Sequence, residues 1–257
     1  DGSGKLSCDT VSVNNISGDV TITGELLADS YNEKFKRVSS VVTTTASSTM
    51  TDWSYESKSL SVASQDGIPN GMAFNNDGTK LYISGNSNDT IYQYALTTAY
   101  DVSTGSYESK SFSVATHVQC PCGLAFNTSG TKMYVQDFNA DTVFQYSLST
   151  AFDVSTASYD SVSLDASGQD TSTQAMVFKP DGTSLFIAGN TNDTVYQYDL
   201  TTAFDLSTAS YASKSFNAST QVTTAAGIGF TDSGTKMYVL DASDQDIHQY
   251  TLTTAYD

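Results

Sequence analysis

Cys120-Pro121-Cys122, with His117 three residues upstream, is the most chemical-looking cluster in the chain. Two near-adjacent thiols and an imidazole could hold a soft metal ion. Four ligands are not visible, and the related segments carry Ser172 and Gln174, or Thr224 and Ala226, in place of the thiols. A packed or disulfide-bonded loop is therefore the expectation. Cys8 is the odd third thiol, which leaves an arm-to-body or inter-chain disulfide open.

Asp137-x-Asn139-x-Asp141 and Asp241-x-x-Asp244-x-Asp246 place oxygen ligands at alternating positions, as calcium loops do. Neither carries the rest of an EF-hand. Asn and Asp are also the default residues between strands, because they tolerate left-handed backbone and make Asx turns. Turn chemistry explains these six residues, so neither a specific metal site nor any cofactor is expected.

Catalytic signatures are sparse. The two histidines are His117 and His248, and His248 stands where Tyr92, Phe144 and Tyr196 stand in its sister segments. No Gly-x-Ser-x-Gly, HExxH or P-loop pattern occurs. On this ground the chain is expected not to be an enzyme. The 16 Tyr and 12 Phe suggest sugar binding instead, although most recur in phase on strands, as core residues do. Loop-borne Trp53 and Phe138, and the paired Gln65-Asp66 and Gln169-Asp170, are the candidate ligand-binding residues.

The elements that must carry these residues follow a strict repeat. Gly78-Thr79, Gly130-Thr131, Gly182-Thr183 and Gly234-Thr235 lie 52 residues apart, and so do Gln93-Tyr94, Gln145-Tyr146, Gln197-Tyr198 and Gln249-Tyr250. Phe74, Phe126, Phe178 and Phe230 keep the same phase, as do Tyr55, Tyr107, Tyr159 and Tyr211. Within one copy, Gly123–Phe126 reads as a small apolar strand and 127–131 as a tight turn. Strands are expected over 132–136, 142–148 (TVFQYSL, alternating and β-rich) and 159–164. The Thr-Ala-Tyr/Phe-Asp element, first seen at 98–101, is read as a helical turn in the connection between the last two strands.

Four antiparallel strands per repeat of this length is the signature of a β-propeller blade. The Gly-x-Ala-Phe…Ser/Asp-Gly-Thr-Lys-x-Tyr pattern resembles the repeats of the NHL and YVTN propeller families over about residues 53–257. The resemblance implies the fold and no particular activity. The repeated region, 51–257, opens with a fourth-strand segment (Tyr55–Val62) and closes after a third strand (Ile247–Leu252). One strand plus three make a blade, so an all-β, four-bladed propeller is expected, closed by pairing of these two segments. Two chains sharing an eight-bladed ring, or an open array, are the competing readings. Copies 1 and 3 share Gln-Asp and Gly-Asn-x-Asn-Asp-Thr, whereas copies 2 and 4 carry Asp137 and Asp241 at the loop start. A duplicated pair of blades explains this alternation.

Residues 1–50 lie outside the repeat. They hold an alternating DVTITG strand at 19–24 and too few large apolar groups for a core, so an extended arm that makes its contacts elsewhere is expected. Residues 15–33 (NISGDVTITGELLADSYNE) resemble stalk segments of marine bacteriophage tail-fibre and virion proteins. That resemblance implies a virion structural or host-attachment protein, located on the particle and extracellular. Other virion proteins would be partners through the arm, with a host surface glycan as a candidate ligand and a homo-oligomer open. A lectin-like propeller, and a secreted or cell-surface bacterial propeller, are the alternatives. Eleven basic against 28 acidic residues give a net charge of −17, which disfavours nucleic acid and anionic membrane. No apolar run is long enough to insert in a membrane.

Overall fold

The computed structural model describes residues 55–257. The arm 1–50, its 19–24 strand, Cys8 and Trp53 lie outside the described residues. The described residues belong to one compact unit.

The fold is all-β, four blades of a propeller, as the repeat implies. The first blade is built from β1 (Pro69–Phe74), β2 (Lys80–Gly85), β3 (Thr90–Leu96) and β4 (Gly105–Ser113), paired in sequence order. The second comprises β5 (Pro121–Phe126), β6 (Lys132–Asp137), β7 (Thr142–Leu148) and β8 (Ala157–Asp165). The third comprises β9 (Thr173–Phe178), β10 (Ser184–Gly189), β11 (Thr194–Leu200) and β12 (Ala209–Asn217). The fourth holds β13 (Ala225–Phe230), β14 (Lys236–Asp241) and β15 (Asp246–Thr251), with no fourth strand among the described residues. The inner strands pack side by side, β1 on β5, β5 on β9 and β9 on β13.

Local chemistry dictates these turns. Gly78, Gly130, Gly182 and Gly234 all have φ between 65° and 73°. A Cβ on Gly78 would lie 2.4 Å from the Tyr100 ring, so the position needs glycine twice over, for backbone and for space. The expected helical turn sits slightly later than read. Asp101, Asp153 and Asp205 each cap a one-turn 3₁₀ helix, at Val102–Thr104, Val154–Thr156 and Leu206–Thr208, by accepting from the amide two residues on.

The core lies between blades. Tyr82 and Ile91 of the first blade pack with Leu124, Met133 and Val135 of the second. Polar latches tie the same joint. The Val154 N–H donates to Gln93 Oε1 (3.0 Å) and the Tyr82 hydroxyl to the Phe152 carbonyl (2.7 Å). One blade on, Leu206 N–H donates to Gln145 Oε1 (2.9 Å) and the Tyr134 hydroxyl to the Phe204 carbonyl.

The closing pair expected from the strand count does not form. Tyr55–Val62 is not hydrogen-bonded to β15. It lies instead against the first blade, where Leu60 and Val62 join the cluster of Leu81, Ile83 and Tyr94. β13 has no packing on β1 comparable to that between the other inner strands. Strand order along a chain carries no information about the angle between successive blades, and that angle decides whether four close on themselves.

Candidate functional site

The β-topology sorts the loops onto two faces. One carries the β1–β2 type turns and the β3–β4 type connections. The other carries the loops 86–89, 138–141, 190–193 and 242–245, with the connections 63–68, 114–120, 166–172 and 218–224. Every candidate residue named above and described in the structure, His248 on β15 aside, falls on or beside this second face.

Charge divides the same way. The described lysines are Lys58, Lys80, Lys110, Lys132, Lys179, Lys214 and Lys236, and all lie toward the first face. Six of them pair with carboxylates, among them Lys80 with Glu108 (2.9 Å), Lys110 with Asp153 (2.6 Å) and Lys132 with Asp160 (2.6 Å). The second face holds Asp66, Asp89, Asp137, Asp141, Asp165, Asp170, Asp193, Asp241, Asp244 and Asp246, and no described Lys or Arg.

Most of those carboxylates stitch backbone. Asp66 accepts from the Ile68 (2.8 Å) and Ser87 (3.2 Å) amides. Burial works to raise its pKa, and the amides outweigh burial and hold it below the usual carboxylate value. Asp170 accepts from Ser172, Thr191 and Asn192. Asp137 takes the amides of Gln119, Cys120 and Asn139 at 3.0–3.1 Å, and Asp241 those of Thr223, Ser243 and Asp244. Gln65 and Gln169 accept from the hydroxyls of Tyr94 (2.9 Å) and Tyr198 (2.5 Å). Phe138 is half-buried beside this loop, its amide on the Cys120 carbonyl (3.0 Å). Asn139, Asp244 and Asp246 are exposed.

Asp89 stands apart. Its counterparts Asp141 and Asp193 reach across to the next blade, Asp141 to the Thr173 amide (2.7 Å) and Asp193 to the Ala225 amide (3.2 Å). The residue facing Asp89 in the same phase is Pro121, which has no N–H to give. Asp89 Oδ1 is consequently buried without a partner. Burial, followed by the charges of Asp137 and Asp66, raises its pKa. Sequence reading missed Asp89. The signal was there, in a proline at the position where the third and fourth copies supply the amides of Thr173 and Ala225.

The thiol cluster resolves into separate parts. His117 stacks on Tyr159 with ring centroids 4.0 Å apart, and near Phe144 at 6.1 Å, so its ring packs within the blade. Cys120 and Cys122 are free thiols rather than a disulfide, which corrects the bonded form of the loop expected above. Cys122 Sγ turns inward onto the carbonyls of Gln136 (3.6 Å) and Thr173 (3.8 Å), and burial pushes its pKa far up. Gln136, fully buried beside it, has both side-chain amide atoms unpartnered. Among the described residues no group of three or more His, Cys, Asp or Glu is placed to hold a metal ion, and no helix is long and apolar enough to cross a membrane.

No protein-family model matches this chain, and no curated protein does. Its fold is similar to that of solved structures. One is called a "putative 6-phosphogluconolactonase" from Bacteroides uniformis ATCC 8492, with a TM-score of 0.53, 14% identity, and 76% of this chain on 54% of that one. A functionally unknown protein from Desulfotomaculum acetoxidans DSM 771 gives 0.52 at 14% identity, covering 72% of this chain and 55% of that one. A protein from Lactobacillus plantarum gives 0.52 at 13% identity, covering 71% and 50%. The chain thus spans about half the length of the structures it matches. The expectation that it is not an enzyme is overturned here. That expectation rested on missing motifs, and an enzyme name attached to this architecture removes its ground.

Proposed function

We propose that the propeller is a ligand-binding module presented on the outside of a phage particle, with the second loop face as its recognition surface and a host-surface glycan as its ligand. The observation that supports this best is the segregation of charge. Among the described residues one face gathers carboxylates, amides and hydroxyls without a Lys or Arg, and six of the seven lysines are paired toward the other. Acceptors such as exposed Asn139 and half-buried Asp89 suit the hydroxyl donors of a sugar, and half-buried Phe138 offers an apolar surface for its ring. A neutral or cationic glycan fits this field, and an anionic one is repelled by it.

The test is a glycan array probed with the whole chain, followed by calorimetry on any hit. Binding that is weakened about tenfold or more by Phe138→Ala or Asp89→Asn supports the reading. Binding confined to anionic glycans, or unchanged by both variants, overturns it. The same preparation is assayed for sugar-lactone hydrolysis, since turnover would make the ligand a substrate. An antibody against the propeller should label purified particles in electron microscopy, and unlabelled particles would remove the display half of the proposal.

A further inference from the structure

The segment Tyr55–Val62 has the form of a fourth strand without a sheet. Its sequence, YESKSLSV, matches 107–114, YESKSFSV, at every position but one. Ser57 has φ 60°, the value that Ser109, Ser161 and Ser213 adopt (57–58°) at the irregularity of β4, β8 and β12. Lys58 pairs with Asp101 at 3.1 Å, as Lys110 pairs with Asp153 and Lys214 with Asp257. Leu60 and Val62 pack on the first blade as Phe112 and Val114 pack with the second. Everything a fourth strand does toward its neighbouring blade is in place, while Tyr55 is 79% exposed on the other side.

The fourth blade lacks what this segment offers. In the first three blades Tyr94, Tyr146 and Tyr198 meet Tyr107, Tyr159 and Tyr211 at centroid distances of 5.6–5.8 Å. Among the described residues their counterpart Tyr250 has no fourth-strand tyrosine against it. Ile247 is 51% exposed where Ile91, Val143 and Val195 are at most 5%. A groove of about 500 Å³ opens there, lined by Phe216, Phe230, Tyr250 and Leu252 among others. At the other end of the array Met72 is 66% exposed, above a second groove floored by Leu81 and Ile83.

We propose that two copies of this chain share one eight-bladed ring, each donating Tyr55–Val62 as the fourth strand of the other's last blade. The 52-residue phase fixes the register: Tyr55 opposite Tyr250, Lys58 opposite Gln249, Ser59 opposite His248 and Leu60 opposite Ile247. The joint would repeat the one between the first two blades. Gln249 Oε1 accepts from the partner's Val102 N–H, the Tyr238 hydroxyl reaches the partner's Tyr100 carbonyl, and Ile247 enters against the partner's Met72. The occupant is a second copy because β13 has no packing on β1 comparable to that between the other inner strands, and because the four blades cover only about half the length of a structure whose fold they share. Two such arcs close by a two-fold axis and leave no free edge, and eight blades is a known ring size.

The experiment is native mass spectrometry of the whole chain, with disulfide trapping. Cys8, Cys120 and Cys122 are replaced by Ala, and Ser59→Cys and His248→Cys are introduced together. Twice the mass of one chain, with covalent dimers on a non-reducing gel, is the expected result. Mixing a chain carrying only Ser59→Cys with one carrying only His248→Cys should give the mixed dimer. Ile247→Lys, exposed in the single chain and so tolerated by its fold, should weaken self-association more than about tenfold. A single-chain mass with an internal disulfide would mean that four blades close on themselves. A ladder of larger species would mean an open filament. Either overturns the proposal, as does a dimer that Ile247→Lys leaves intact.

Discussion

The carboxylate of Asp66 fills the space that a side chain on Gly85 would need. A Cβ there would lie 2.3 Å from Asp66 Cγ, and the same holds for Gly189 and Asp170. In the second and fourth blades the arrangement is reversed. Asp137 and Asp241 occupy the glycine positions, and fully buried Val118 and Val222 occupy the aspartate positions. One carboxylate per blade thus staples the same two loops by backbone amides, entering from alternate sides.

This swap predicts a compensated pair. Gly85→Asp alone brings a second carboxylate into space already filled, and should cost about 2 kcal/mol or more through overpacking and charge repulsion. Asp66→Val in the same chain should restore most of the loss, because it reproduces the Val118/Asp137 arrangement. Urea denaturation of both single variants and the double gives the coupling. Additive losses would show that the two positions do not exchange roles.

The swap also shows what a sequence can and cannot carry. The alternation of copies 1 and 3 with 2 and 4 was legible, as were the 52-residue period and the strands it places. That Asp66 and Asp137 do the same work was not, because they are far apart within the repeat and meet only across the strand register. Ring closure failed for a different reason: strand counting is one-dimensional, and blade angles come from the packing of Tyr82, Met133 and their equivalents. Pro121 was read as part of a thiol motif, and its effect on Asp89 becomes visible only when β5 is laid beside the 86–89 loop.

Gln93 is a second joint worth cutting. It is fully buried, donates to Glu108 (2.6 Å) and accepts from the Val154 amide of the next blade (3.0 Å). Gln93→Leu keeps the volume roughly and orphans the Val154 N–H, so a loss of about 1–3 kcal/mol is expected. The denaturation midpoint should fall with little change in slope. Glu108 should respond as well. Burial acts to raise its pKa, but hydrogen bonds from Lys80 and Gln93 win and hold it below the ordinary value. Such a group stabilises the fold above its unfolded pKa and loses that contribution as pH falls through the folded one. The variant should therefore show a shallower loss of stability on acidification below about pH 4.5.

The two thiols should separate by reactivity. Both are free and both have raised pKa values, for burial first, but Cys122 Sγ faces inward onto two carbonyls whereas Cys120 is less enclosed. Thiolate is the reacting form, so alkylation near neutral pH should mark Cys120 slowly and Cys122 only on unfolding. Peptide mass spectrometry after timed iodoacetamide labelling reads this directly. Equal rates at the two sites would contradict the inward placement.

Asp89 gives the opposite pH dependence to Asp66 and Asp241. Its folded-state pKa is raised, by burial first and then by Asp137 and Asp66, and its Oδ1 has no donor. A carboxyl of this kind holds its proton more tightly in the folded state. It favours folding below its unfolded pKa of 3.8, and that contribution is lost as pH rises through the folded value. At neutral pH it is a partly buried charge one hydrogen bond short. Pro121→Thr would supply the amide that Thr173 gives to Asp141, and should raise stability at pH 7 by on the order of 1 kcal/mol, or about 2–4 °C in Tm. Asp89→Asn should give a gain of the same sign at pH 7 that shrinks toward zero below pH 3.8, where the native carboxyl is itself neutral. Melting curves at the two pH values decide it. A gain from Asp89→Asn that is as large in acid as at neutrality would mean that the charge of Asp89 is not what costs the fold.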